Sequence, residues 1–85
     1  MNRNFTGEGF EQYLYWQTQD RKTLKRINEL IKDIARNGVE NGIGKPEKLK
    51  YRADWSRRID ETNRLVYSLD ENGNILIESC KGHYE

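Results

Sequence analysis

The side chains with the most chemistry to offer lie in two places, a basic stretch in the second half of the chain and a histidine near its end. Between positions 45 and 64 stand Lys45, Lys48, Lys50, Arg52, Arg57, Arg58 and Arg64, opposed there only by Glu47, Asp54, Asp60 and Glu61. Guanidinium forks match the oxygens of a phosphate, and a local positive face can exist on a chain whose total charge is small. Glu47, between Pro46 and Lys48, offers a carboxylate suited to general-base work in those surroundings. His83, the only histidine, precedes Tyr84, and an imidazole with an ordinary pKa of about 6.5 can give or take a proton near neutral pH. Read singly, the basic cluster and Glu47 fit a solvated charged surface better, and a lone terminal histidine is more often incidental than catalytic.

Other chemistries find less support. Cys80, the only cysteine, follows the apolar run Ile75, Leu76, Ile77 and reads as a packed strand residue, with no second thiol for an internal disulfide. One His and one Cys supply no ligand cluster, so no metal site is expected. Gly42 and Gly44 precede strand-forming sequence and open no helix, which removes a phosphate-cradling loop of the nucleotide-binding kind.

The elements that must position these groups follow from periodicity. Thr6 is placed as a helix N-cap, and any strand before it is weak because Met1 to Thr6 is mostly polar. Phe10, Tyr13, Leu14 and Trp16 recur at helical spacing, and a polar turn from Gln17 to Asp20 interrupts them. Asp20 then caps a second helix with its apolar stripe at Leu24, Ile27, Leu30, Ile31 and Ile34, stopped by Gly38. The helices form a hairpin whose stripe needs a sheet to cover it, and Trp16 belongs to that core.

Glycines 38, 42 and 44 and Pro46 mark a loop, after which strand signals begin. Trp55 to Ile59, Arg64 to Leu69 and the run from Ile75 form an antiparallel meander, with Asn72-Gly73 as its second turn. Alternation puts Leu65, Tyr67 and Leu69 on the core face and Arg64, Val66 and Ser68 on the other. A four-residue loop before Arg64 would place Ile59 across from it. A five-residue loop would place Arg58 there, a like-charge pair that calls for an anion or a carboxylate between the two.

The expected architecture is α+β: a helical hairpin packed on one face of a small, mainly antiparallel, twisted sheet, forming one domain over residues 1–85. A fold of this size buries only about 60% of the surface its unfolded chain exposes, so the core is thin and compatible with a homodimer. The net charge is +1, from 15 Lys and Arg against 14 Asp and Glu, so any affinity for nucleic acid must come from how the charges are distributed. Neither a signal peptide nor an apolar run of membrane length is present, which points to a cytoplasmic protein without a membrane partner.

Six strings, taken in order, carry a resemblance. They are Tyr13-Leu14-Tyr15-Trp16, the segment Arg26 to Asp33, Gly44-Lys45-Pro46-Glu47-Lys48-Leu49-Lys50, Trp55-Ser56-Arg57-Arg58-Ile59, Asn63-Arg64-Leu65-Val66-Tyr67, and His83-Tyr84. From about Phe10 to Tyr84 the chain resembles the Txe/YoeB toxins of the RelE/ParE superfamily. That resemblance implies a RelE-like microbial RNase fold and a metal-independent, cofactor-free endoribonuclease that cuts mRNA in the ribosomal A site. It also implies that a YefM-type antitoxin keeps the nuclease silent.

On that resemblance Glu47 is the general base toward the ribose 2′-OH and His83 the general acid toward the leaving 5′-oxygen. Arg64, with Arg58 and Lys50, stabilises the transition-state charge, Arg57 and Lys45 add phosphate contacts, and Tyr84 orients a base. A protein with no long basic groove gains from a ribosome that holds the message in line, so weak activity on free RNA is expected.

Three features depart from the family pattern. Glu85 follows Tyr84, the turn Tyr51-Arg52-Ala53-Asp54 is about two residues short, and the first strand is unusually polar. Two other readings compete with the nuclease: a gyrase-binding toxin of the ParE type, and a module that only pairs with an antitoxin. The combination of Glu47, Arg64, His83 and Tyr84 argues against a pure binder, which needs no acid and base.

Overall fold

The computed structural model describes residues 2–82. The elements run β1 (Arg3–Phe5), α1 (Gly7–Gln19), α2 (Arg21–Asn37), β2 (Glu47–Lys48), β3 (Trp55–Arg58), β4 (Arg64–Leu69) and β5 (Ile75–Ser79). The strands form one sheet in the order β1-β5-β4-β3-β2, parallel between β1 and β5 and antiparallel elsewhere. The α+β architecture expected from the sequence is the one observed, with the meander β3-β4-β5 at its centre. Among the described residues no helix is long and apolar enough to cross a membrane.

Capping chemistry sets the helix ends. The Thr6 hydroxyl accepts from the Gly9 amide at 3.0 Å and donates to the Glu78 carbonyl at 3.0 Å, so one side chain starts α1 and ties it to β5. The Asp20 carboxylate accepts from the amides of Lys22 and Thr23, and its own amide donates to Trp16 O. A single capping residue thus serves both helices. The polar turn expected over Gln17 to Asp20 contracts to Asp20, and α1 begins at Gly7, ahead of the apolar spacing that revealed it. Gly38, at φ +88°, ends α2 as expected, its amide bonded to Ile34 O.

The hairpin covers one face of the sheet. Ile27, Leu30 and Ile34 are fully buried against Leu65, Tyr67, Ile75 and Ile77, with Ile31, Trp16 and Cys80 in the same cluster. Burying each aliphatic side chain is worth about 1.5–3 kcal/mol, more than any surface ion pair here could supply, so the apolar stripe holds the layers together. A Cβ at Gly9 would stand 2.5 Å from Ile77 O, so glycine is what lets α1 lie directly on β5. Trp16 takes the core role expected of it, and its indole N–H donates to Cys80 O at 2.8 Å. Cys80 is buried, and burial pushes its thiol pKa up to about 12, which leaves a packing residue and no nucleophile.

Two expectations take a more definite form. Leu69 keeps the expected face, paired with the buried Ile75, but at the end of β4 it is 43% exposed and stays outside the core. The weak first strand is a real edge strand, paired at Arg3↔Ile75, Asn4↔Leu76 and Phe5↔Ile77. Main-chain hydrogen bonds to β5 make it, and Phe5, packed against the rings of Phe10 and Tyr13, is its apolar anchor among the described residues.

Candidate active site

The face of the sheet turned away from the helices carries the polar groups. Cross-strand partners share a face, and Glu47↔Ser56, Ser56↔Val66 and Val66↔Ser79 make one row across four strands. The next row sets Arg58 against Arg64. The loop between β3 and β4 therefore holds the five residues Ile59 to Asn63. Asp60 organises it by accepting from the amides of Thr62 and Asn63.

Arg64 is the fixed point of this face. Its side chain is 8% exposed, its Nε donates to Ser56 Oγ at 3.0 Å, and its Nη2 donates to Glu47 Oε1 at 3.0 Å. Glu47 itself is 66% exposed, so the pair joins a buried, oriented cation to a carboxylate open to solvent. Among the described residues Nη1 of Arg64 has no partner, and neither does the Arg58 guanidinium. Arg58 is held through its backbone, whose amide bonds to Gly44 O and whose carbonyl accepts from Arg26. Two guanidinium groups facing each other beside one carboxylate can receive an anion with two or more acceptor oxygens.

The approach to Glu47 is a sharp bend. Gly44 and Lys45 both have positive φ, at +82° and +52°, and Pro46 follows, which turns the chain from the long loop into the register Glu47↔Ser56. Lys45 and Lys50 are exposed on either side of β2. His83 and Tyr84, expected as general acid and base-orienting ring, lie outside the described residues, as does Glu85. Gly82, the last described residue, is tied to the start of β4: the Arg64 amide donates to Gly82 O at 2.9 Å and the Gly82 amide to Asn63 Oδ1 at 2.8 Å.

One expected phosphate contact is corrected. Arg57 is fully buried on the helix side of the sheet, since alternation along β3 sends it opposite to Ser56 and Arg58. Its guanidinium is saturated by Asp33 Oδ2, the Tyr67 hydroxyl and the carbonyls of Gly38, Asn41 and Ile43. No edge is left for RNA. Conversely Ser56, which orients Arg64, was not among the sequence candidates, although the same alternation places it on the face of Arg58.

With this geometry in hand, the chain matches the YoeB-like toxin of bacterial type II toxin-antitoxin system over residues 5–84. It belongs to the YoeB-like toxin family. The YoeB toxin of Escherichia coli is 49% identical over 79 residues, covering 91% of this chain and 92% of that one. Among solved structures, YoeB in the heterotetrameric YoeB–YefM complex of Staphylococcus aureus is 52% identical with a TM-score of 0.89, covering 99% of this chain and 98% of that one. The YoeB dimer of the same organism is 50% identical with a TM-score of 0.92 at the same coverage. A YoeB-like toxin is thus the frame within which Arg64, Glu47, Ser56 and Arg58 are to be read.

Proposed function

We propose that this YoeB-like toxin is a metal-independent, ribosome-dependent endoribonuclease that cuts mRNA in the ribosomal A site and so halts translation. The observation that carries this reading is the Arg64 guanidinium, buried, oriented by Ser56 and held 3.0 Å from the exposed Glu47 carboxylate.

In the proposed reaction Glu47 takes the proton from the ribose 2′-OH while the 2′-oxygen bonds to the adjacent phosphorus. The bond from phosphorus to the 5′-oxygen breaks, and His83 protonates that oxygen. The products are a 2′,3′-cyclic phosphate and a new 5′-OH end, and solvent exchange returns Glu47 and His83 to their starting protonation states. Arg64, with Arg58 and Lys50, carries the added charge of the pentacoordinate phosphorus, a setting in which one preorganised donor contributes about 3–4 kcal/mol. Lys45 contacts the RNA backbone and Tyr84 stacks on a base. In the resting site Glu47 is paired to Arg64, so an arriving phosphate competes for the guanidinium and frees the carboxylate to act as a base.

The solved complex of Staphylococcus aureus YoeB with YefM supports a YefM-type antitoxin as the partner that silences this chain, and the dimer from the same organism supports a homodimer. A toxin acting on ribosomes works in the cytoplasm. The test is cleavage of an mRNA programmed into bacterial ribosomes by the intact protein, Glu47→Ala and His83→Ala, with free RNA as control. Ribosome-dependent cutting that both substitutions weaken is the expected result; no cutting by the intact protein overturns the nuclease.

A further inference from the structure

The strand that carries Glu47 is only two residues long, at the sheet edge, and β3 is its one neighbour. Left to that ladder, the proposed base would be poorly located. The turn after it folds back over the open face and is closed by the Leu49 amide on Asp54 O at 2.9 Å. Leu49 is 5% exposed and Val66, on the same face, 1%.

Lys48 Nζ also donates to Arg52 O at 3.2 Å, and the Arg52 side chain, 45% exposed, is the turn's tie to β5. Arg52 Nη2 stands 2.5 Å from Asp54 Oδ2 and 3.0 Å from Glu78 Oε1, so it reaches from the start of β3 past β4 to β5. The register of β5 slips by one residue between Val66 and Tyr67, and Glu78 sits at that bulge. Asp54 and Glu78 are mostly buried, with side chains 12% and 23% exposed. Burial and the neighbouring Asp54 carboxyl push Glu78 above the usual carboxylate range, against Arg52 and the Ser68 hydroxyl. Without Arg52 the two carboxyl groups would face each other with no described cation between them, and the turn would lose its side-chain tie to β5.

We propose that Arg52 is a positioning residue for the nuclease: by bridging Asp54 and Glu78 it clamps the β2–β3 turn to the sheet, fixing Glu47 against Arg64 and Lys50 at the rim. The inference rests on the nuclease reading for its catalytic consequence, while the clamp stands on the ion-pair geometry alone.

The experiment has two arms on the full-length protein. In ribosome-programmed cleavage, Arg52→Ala is expected to lower kcat roughly tenfold or more with KM little changed, since small misplacements of a reacting group are that costly. Arg52→Lys, which keeps the charge but loses the fork, should fall between Arg52→Ala and the parent. In hydrogen exchange, Arg52→Ala should expose the Leu49 amide while the amides of Leu65 and Ile77 stay protected. Unchanged kcat, a rise in KM alone, or unchanged protection of Leu49 overturns the proposal. If Arg52→Ala loses core protection too, Glu78→Gln carries the same two readouts. If the intact protein does not cut, the nuclease reading falls with Arg52's catalytic role, and the exchange arm alone decides the clamp.

Discussion

Arg57 Nη1 and Asp33 Oδ2 stand 2.5 Å apart, 24 residues apart in the chain, and join the middle of β3 to the last turns of α2. Arg57 is fully buried and Asp33 is nearly so, and the same guanidinium binds three carbonyls of the loop between 38 and 43. Asp33 in turn accepts from the Ile43 amide and from Asn37. The pair therefore closes the long loop onto the core. Its neighbour Arg58 faces the opposite way and faces Arg64 across the sheet. One step along a strand separates an arginine used for folding from one available for chemistry.

Removing one member of this pair strands the other. Asp33→Ala should destabilise the protein by about 3 kcal/mol or more, since an uncompensated buried charge is the costly outcome. Denaturant unfolding checks this; a loss below about 1 kcal/mol would show that the loop carbonyls alone satisfy Arg57.

Gly42 is required where Gly73 is only preferred. A Cβ at Gly42 would fall 1.8 Å from Asp33 Oδ2 and 2.8 Å from Arg57 Nη1, at φ +124°; a Cβ at Gly73 would meet nothing within 4 Å, at φ +79°. Gly73→Ala should cost about 1 kcal/mol for its backbone alone, and Gly42→Ala distinctly more, because it also displaces the ion pair. Comparing the two melting temperatures decides it, and equal losses would argue against a tight seat for the pair.

The acid limb of stability should be set by capping and loop aspartates. In Asp33 burial works to raise the carboxyl pKa, but hydrogen bonds from Arg57, Ile43 and Asn37 outweigh it and hold it below the usual carboxylate range. In Asp60 burial is likewise outweighed, by Asn63 and Thr62. Hydrogen bonds from Thr23 lower Asp20, and those from Asn74 lower Asp70. A carboxyl depressed by folding stabilises fully above its unfolded pKa and loses that contribution as pH falls through its folded value. Melting temperature should thus be flat near neutral pH and fall below about pH 4. Asp33→Asn, less stable overall, should show a shallower fall; an unchanged slope would remove Asp33 from the account.

Periodicity was sufficient for the parts of the fold that bury apolar surface. The stripe Leu24, Ile27, Leu30, Ile31 and Ile34, its Asp20 cap and its Gly38 stop all appear as read, because helix burial and capping are local rules. β1 was barely readable, since its pairing with β5 is made by main-chain bonds 72 residues away that leave no side-chain pattern. The functional face was partly readable: alternation assigned Arg64 to it, but the choice between Arg58 and Ile59 depended on a loop length that Asp60 sets by hydrogen bonds. Arg57 was misassigned because charge suggested a surface position, whereas its buried partner Asp33 lies on a helix that carries no sequence sign of the pairing.

Ser56 tests whether the site depends on how Arg64 is held. Its hydroxyl is 1% exposed and is the acceptor for Arg64 Nε, so Ser56→Ala leaves that N–H buried without a partner and frees the guanidinium to turn away from Glu47. Arg64→Ala removes the cation itself and should reduce kcat in ribosome-programmed cleavage by roughly 10²–10³. Ser56→Ala keeps the charge and should cost less, about tenfold, again in kcat and not in KM, because orientation matters most where charge develops in the transition state. Ser56→Thr, which retains the hydroxyl, should recover most of the loss if the added methyl is tolerated beside Val66. Equal activity of Ser56→Ala and the parent would mean that the Ser56 hydroxyl does not orient Arg64 for the reaction.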